Sequence, residues 1–300
     1  MKNNYEDRFR IHLPRRTNVI IRVDGKAFHS FTKGLDKPID HGLVHDMNMT
    51  AKYMCENIQG AKFGYVQSDE ISIWLTDYDD LQTQGWFDYN IQKMCSIAAS
   101  LATSKFNQLR ITRQITEGFK MMKDENLSIP LLHDIAKKQK LAQFDARVFI
   151  IPEIEEVVNY FIWRQQDATR NSISMAAQSM FSHKELHGKS CNQMQDMMMT
   201  EKGVNWNDYE VGFKRGRSLA KRKILTKRAI DLELIKFSKM SLVHMQNFEQ
   251  AAAKRDEELL ILKNWTPEDD IVRHKWEILD TPIFTQEREF IIDHDSPKIG

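Results

Sequence analysis

A chain of 300 residues with 41% hydrophobic and 28% charged residues, and only 12 Gly and 7 Pro, can build a proper core and is not disordered. No stretch approaches the roughly 18 apolar residues of a membrane span. A formal net charge of +1 points to no partner globally, so the local charge distribution must.

The N-terminus, Met-Lys-Asn-Asn-Tyr-Glu-Asp, lacks the apolar run of a signal peptide. The first predicted strand is Asn18–Val23, and it stops at Asp24-Gly25. Phe28-His29-Ser30-Phe31 follows, and Lys37-Pro38 makes a break. Asp40 is placed to cap a helix running to about Ile58, with Leu43, Val44, Met47, Ala51, Met54, Cys55 and Ile58 on its apolar face. Gly60 ends it. Lys62–Val66 leads into a hairpin-like bend at Ser68-Asp69-Glu70, after which Ile71, Ile73 and Leu75 alternate with Ser72 and Trp74. Residues 77–84 read as a loop. A second helix carries Phe87, Ile91, Met94, Cys95, Ala98, Leu101 and Ala102 at helical spacing. Residues 108–143, interrupted by Pro130, read as a mixed connection or insertion, and Arg147–Ile151 as another strand before Pro152.

This β-α-β-β-α-(insert)-β order predicts an α+β, ferredoxin-like antiparallel sheet with two covering helices on one face. That topology sets the end of the first strand beside the bend of the central hairpin. Residues 1–152 form this domain. Residues 153–300 are expected to be mainly helical, beginning with a helix from Glu153 to about Ser182, and to pack on it. Within 214–228, Lys214, Arg215, Arg217, Lys221, Arg222, Lys223, Lys227 and Arg228 stand without an acid, which marks a polyanion-binding surface. Trp276, Ile278, Pro282-Ile283-Phe284 and Phe290-Ile291-Ile292 are expected to return to the core. Cys55, Cys95 and Cys191 are far apart, and the first two lie on apolar stripes, as buried thiols of a reducing compartment do. A cytoplasmic protein is therefore expected.

Several metal-like patterns read as ordinary structure. His41 and His45 stand one helical turn apart with no third ligand in view, so they are surface residues. His183-Lys184-Glu185-Leu186-His187 lacks zinc-binding spacing and reads as a polar helix end. Met194 and Met197-Met198-Met199 read as core filler or an oligomer contact.

The chemistry concentrates at Val23-Asp24-Gly25-Lys26 and Gln67-Ser68-Asp69-Glu70. Two carboxylates carried to one point by neighbouring strands would repel by roughly 4 kcal/mol at about 4 Å and an effective dielectric near 20. A divalent cation removes that repulsion, and hard oxygen ligands suit Mg²⁺, which shares its shell with substrate phosphates. The predicted site is one of metal-dependent phosphoryl or nucleotidyl transfer. Glu70 is read as a third ligand or, by preference, an acceptor that orients a lysine. Gly25 allows a close backbone approach, and the amides after it can form an anion-binding nest.

Five segments, taken together, resemble the tRNA-histidine guanylyltransferases and their guanylyltransferase-like relatives, the 3′–5′ nucleotide polymerases. They are Arg22–Phe31 (Arg-Val-Asp-Gly-Lys-Ala-Phe-His-Ser-Phe), Lys37-Pro38, Gln67–Glu70, Phe144-Asp145-Ala146-Arg147, and Trp163-Arg164-Gln165-Gln166-Asp167 with Asn171. The resemblance spans roughly residues 5–190 and continues more weakly through Gly212–Gly216 and Pro282–Phe284. It implies a polymerase-like palm with two Mg²⁺ ions held by Asp24, Asp69 and the Gly25 carbonyl. It implies nucleotide binding along Asp24, Gly25, Lys26, Ala27, Phe28 and His29 and at Ser68 and Asp69, with Lys37, Lys93 and Arg147 near triphosphates. ATP or GTP activates a tRNA 5′ end, and the 3′-hydroxyl of an incoming nucleoside triphosphate attacks it. tRNA is the implied partner, held by Asn171 and the basic run Lys214, Arg215, Arg217, Lys221, Arg222 and Lys223, and a homotetramer is implied. Thr169 stands where the histidine-tRNA branch has His, which points to the guanylyltransferase-like branch and repair of truncated 5′ ends. A nucleotide cyclase on the same fold is the alternative, but the hairpin lacks Gly-Gly-Asp-Glu-Phe. A non-catalytic RNA-binding protein is the other, and intact Asp24 and Asp69 argue against it.

Overall fold

A computed structural model describes residues 1–121, 140–224, 227–266 and 273–293. In chain order its elements begin with β1 (Asn18–Gly25), α1 (Phe28–Phe31), α2 (His41–Asn57), β2 (Ala61–Gln67), β3 (Glu70–Leu75), α3 (Ile91–Met121) and β4 (Phe144–Ile151). They continue with α4 (Ile154–Gln178), α5 (His183–Leu186), α6 (Cys191–Lys202), α7 (Val211–Arg215), β5 (Arg217–Ile224), α8 (Lys227–His244), α9 (Phe248–Lys263) and β6 (Arg273–Asp280). The sheet order is β4-β1-β3-β2-β5-β6. Its first four strands stand in the expected ferredoxin-like order, with β1 antiparallel to both β3 and β4.

Strand alternation assigns the two faces. Val19, Ile21 and Val23 of β1 join Ile71, Ile73 and Leu75 of β3 in a buried cluster with Met47 and Met54 of α2 and Met94 and Phe106 of α3. Those are the two covering helices. Ile20, Phe63, Tyr65 and Trp74 point the other way, against Val157 and Phe161 of α4 and the returning residues Phe284 and Ile291. Burial on both faces explains why β1 reads Val-Ile-Ile rather than alternating with polar residues. At the start of α2, the Asp40 carboxylate accepts the Leu43 N–H at 2.7 Å, the capping bond its sequence position calls for.

One reading changes. Residues 108–121 are no irregular connection but the last turns of α3, whose helical stripe continues through Phe106; residues 122–139, Pro130 among them, lie outside the described residues. The stretch after residue 152 is mainly helical, as expected, and its two strands, β5 and β6, widen the sheet, with β5 pairing Arg217–Ala220 with Phe63–Val66. The basic run therefore leaves α7 at Arg215 and becomes a strand, where Ser218, Leu219 and Ala220 are buried. The chain forms two compact units. One holds Met1–Ala220 with Trp276–His294, and the other is built on Lys221–Lys275.

Met198 is core filler beside Ile173, Ala176 and Phe181, whereas Met199 is exposed. Cys55 is buried and Cys95 half-buried. No described helix is long and apolar enough to cross a membrane. Among the described residues no three His, Cys, Asp or Glu converge as a metal cluster, so His41 and His45 gain no third ligand.

Phe106 ties α3 to the loop after β1. Its ring centroid lies 5.8 Å from Phe28, 5.8 Å from Phe31 and 5.4 Å from Phe144. Phe106→Ala is expected to lower unfolding stability by about 3–5 kcal/mol. Denaturant titration checks this, and a loss below about 1 kcal/mol, the range of well-tolerated hydrophobic swaps, would show that the aromatic cluster does not anchor the loop.

Candidate active site

The register of β1 sets the site. Asp24 faces Glu70 of β3 on one side and Asp145 of β4 on the other. Even-numbered β1 residues share the α4 face with Ile20, so Arg22 and Asp24 project there together with Glu70, Ser72, Asp145 and Arg147. Asp69 sits at the hairpin tip next to Glu70. The preceding Ser68 holds φ at 47°, the left-handed region that a side chain disfavours. Burial raises the Asp69 pKa, and the charge of Asp24 pushes it the same way, while hydrogen bonds from Ser68 and from its own backbone pull it down. The structure thus brings Asp24, Asp69 and Glu70 into one electrostatic neighbourhood.

Glu70 differs from the other two. Arg164 of α4 places Nε 2.9 Å from Glu70 Oε1, with only 6% of the arginine side chain and 12% of the glutamate exposed. Arg164 also donates to Asp167 at 2.6 Å, and Arg170 grips the other oxygen of Asp167 at 2.7 Å. The Arg164 guanidinium lies 4.2 Å from the Trp163 ring centre. Burial raises the Glu70 pKa, and Arg164, then Arg22, oppose the rise. The expected orienting partner, a lysine, is therefore an arginine supplied by α4. In the sequence Arg164 stands within the Trp163–Asp167 motif, which by itself shows no role for it. The available signal was a cation on an otherwise apolar helix face one turn after Tyr160, whose hydroxyl lies 2.8 Å from that of Ser72.

Gly25 follows Asp24 at the end of β1. A Cβ there would lie 2.2 Å from the Phe28 ring. That ring is held by Phe31, Phe106 and Phe144, so it cannot move aside. The glycine is required by Phe28 as well as by any approaching ligand. Ala27 adopts φ 54° to start α1, and buried Phe28 anchors the turn. Lys26 is exposed; its backbone N–H donates to the Gln143 carbonyl at 2.8 Å and its ammonium to the Gln143 side chain at 3.1 Å. His29 is exposed rather than packed with the phenylalanines, and Lys37 is also exposed.

Other predicted site residues divide. Arg147 is on the Asp24 face, exposed, and 3.6 Å from Asp145. Lys93 is not on that face. It stands on α3, over the Phe87 ring, in a surface depression with Cys95 and Ala146 on the opposite side of the sheet. A single chain therefore does not join Lys93 to Asp24. Lys214 is also corrected: it is buried, donates to the Asn207 carbonyl and lies over Trp206, so it is unavailable to RNA. Arg217 is mostly sheltered, and burial lowers its pKa. Lys221 and Asn171 are exposed, and Arg215 and Arg222 half-buried; the side chain of Lys223 lies outside the described residues.

A family profile described as tRNAHis guanylyltransferase matches residues 1–152. The chain is 27% identical over 228 residues to the tRNA(His) guanylyltransferase of Debaryomyces hansenii, covering 72% of this chain and 78% of that one. A solved bacterial tRNA(His) guanylyltransferase-like protein in complex with ATP is 36% identical, with a TM-score of 0.68, covering 96% of this chain and 94% of that one. A corresponding structure in complex with GTP is 35% identical, with a TM-score of 0.64 and the same coverage.

Removing Arg164 leaves a sheltered carboxylate without its cation. Arg164→Met is expected to destabilise by about 3–5 kcal/mol, and Glu70→Gln added to it should recover much of that loss. The deficit has a defined pH sign. Without Arg164 the folded-state pKa of Glu70 rises further above its ordinary 4.5. Stability is then retained below that ordinary value and lost as pH rises through the elevated one. Unfolding of both variants across that range checks the pair; an equal deficit at low and neutral pH would contradict it.

Proposed function

We propose that this chain, which belongs to the tRNAHis guanylyltransferase family, is a nucleotidyltransferase that adds nucleotides in the 3′–5′ direction to tRNA 5′ ends with Mg²⁺. The observation that carries the reading is the uncompensated pair at the end of β1 and the hairpin tip. Arg164 pairs with Glu70 and Arg147 with Asp145, while among the described residues Asp24 and Asp69 form no ion pair. Two carboxylates on short side chains, carried by a paired strand and its neighbouring hairpin, fit an ion that completes its shell from substrate phosphates. Asp24, Asp69 and the Gly25 carbonyl would hold it. When bound, it supplies charge neutralisation on the phosphates and acidifies the attacking hydroxyl.

The chain's own residues supply position. Glu70, locked by Arg164, fixes the hairpin tip and with it Asp69. The turn from Ala27 to His29, pinned by Phe28, presents backbone amides to a triphosphate, and Arg147 and Lys37 add positive charge at its borders. The 3′-hydroxyl of the incoming nucleoside triphosphate attacks the activated 5′-phosphate in line, and the activating group leaves from the opposite side. Lys93 acts in this scheme only across an assembly. A homo-oligomer fits the exposed Phe237, Met240, Phe248 and Leu260 on α8 and α9, an apolar surface that a second copy can cover. Arg215, Lys221, Arg222 and Asn171 serve as contacts to the tRNA backbone without sequence readout.

Repair of truncated 5′ ends is favoured over histidine-tRNA maturation. The Thr169 hydroxyl donates to the Lys214 carbonyl at 3.1 Å, so this position ties α4 to α7 rather than offering an imidazole to RNA. The likeness to the bacterial guanylyltransferase-like protein also runs through 96% of the chain.

Labelled nucleotides, Mg²⁺ and a 5′-truncated tRNA should give extension by the native chain. Asp24→Ala and Asp69→Ala should each lower it at least a hundredfold, the scale of removing charge stabilisation from a transition state, and EDTA should abolish it. Absence of extension by the native protein removes the proposal, and unchanged extension by Asp69→Ala removes the assigned role. Gly25→Ala, whose added Cβ has no room against the pinned Phe28 ring, should lose activity in parallel with the native fluorescence and circular-dichroism signature of the turn.

A further inference from the structure

The helical hairpin of α8 and α9 belongs to the second compact unit and lies outside residues 1–152, the stretch that carries the family match. Between the two helices Leu232 and Ala251 are buried, and Lys239 of α8 pairs with Glu258 of α9. The outward residues are of a different kind. On α8, Ile230, Leu234 and Phe237 follow one another at steps of four and three residues. On α9, Phe248, Ala252, Arg255, Leu259 and Leu262 follow at steps of four, three, four and three, and all five are exposed. Such steps are the heptad spacing by which one helix interlocks with another. Met240 and Val243 of α8 join Phe248 and Ala252 of α9 along an open groove of about 690 Å³.

No described residue covers this face. Its eight large apolar residues, three of the α8 series, three of the α9 series, Met240 and Val243, are each 45% to 70% exposed. At about 200 Å² for a whole large apolar residue, they leave roughly 900 Å² in water. The largest apolar patch of a soluble monomer is about 300–600 Å², whereas a stable interface takes about 800 Å² from each partner. The area therefore suits a second protein surface of the same kind. Charge selects the surface. α8 holds four Lys or Arg and two acids, and α9 holds three Lys or Arg and four acids. Stacking α8 on α8 would oppose two positive excesses, while α8 on α9 joins a positive excess to a negative one. The Lys239–Glu258 pair sets these parts of the two helices at one height. A two-fold axis along the bundle keeps that height, so Phe237 stands level with Leu259 across the seam.

We infer that the hairpin is a self-association module: two copies of this chain pair through it as an antiparallel four-helix bundle, α8 of each against α9 of the other. The inference names the contact for the homo-oligomer proposed above and is independent of the nucleotidyl-transfer reading.

Size-exclusion chromatography with light scattering on the full chain, at micromolar concentration, tests it. The samples are the native chain, Phe237→Lys, Leu259→Glu, and the two variants mixed in equal amounts. The native chain is expected to have at least twice the mass of one copy. Each variant alone is expected to have half the native mass with unchanged helical circular dichroism, because both residues are already exposed within one chain. Mixing is expected to restore the native mass, since one seam then sets lysine against glutamate and the other keeps phenylalanine against leucine. A native chain with the mass of one copy overturns the inference and leaves the face to a different protein. Native mass retained by both variants also overturns it, while the homo-oligomer reading survives through another surface. Variants that dissociate and do not recombine overturn the pairing of α8 with α9.

Discussion

Crowding of like charge at one end of the central strands is the constraint on which the rest of this protein depends. Antiparallel pairing of β1 with β3 and β4 forces Asp24 between Glu70 and Asp145, and the hairpin adds Asp69. A fold does not assemble such a cluster without offsetting it. Here the offset is partial and selective. Arg164 answers Glu70 and Arg147 answers Asp145, while burial and Asp24 together raise the Asp69 pKa. Among the described residues Asp24 and Asp69 form no ion pair.

The supporting structure is apolar. Four phenylalanines, Phe28, Phe31, Phe106 and Phe144, come from the turn after β1, from α3 and from β4. They fix the backbone beside Asp24 and leave Gly25 no room for a side chain. On the opposite face, α4 does two things at once. Val157 and Phe161 bury the sheet, and one turn later Arg164 reaches Glu70. Core packing and site electrostatics are thus carried by the same helix, which couples the position of Asp69 to the integrity of the second sheet face.

The basic run shows the reverse case, in which charge is consumed by structure. Lys214 is spent on the Asn207 carbonyl and Trp206, and Arg217 is sheltered where β5 joins β2. The Tyr65 hydroxyl donates to the Arg215 carbonyl at 2.5 Å and packs against Gly216, whose φ of 73° turns the chain from α7 into β5. A run of like charges in sequence therefore does not amount to one continuous surface.

Much of the first half was legible in one dimension. Hydrophobic period, the Asp40 cap and the turn at Ser68-Asp69 depend on local chemistry, and they placed β1 to β3, α2 and the order of the ferredoxin-like sheet. Asp24 and Asp69 were visible because each stands where an apolar pattern meets a turn. Tertiary structure alone decided the rest. Which face a residue occupies follows from strand register, so only pairing could separate Lys93 from Arg147. Which charge is neutralised follows from what packs opposite, so only the placement of α4 could pair Glu70 with an arginine instead of a lysine. The strand character of Arg217–Ile224 came from β2 offering an edge, a contact about 150 residues away along the chain that no local pattern records.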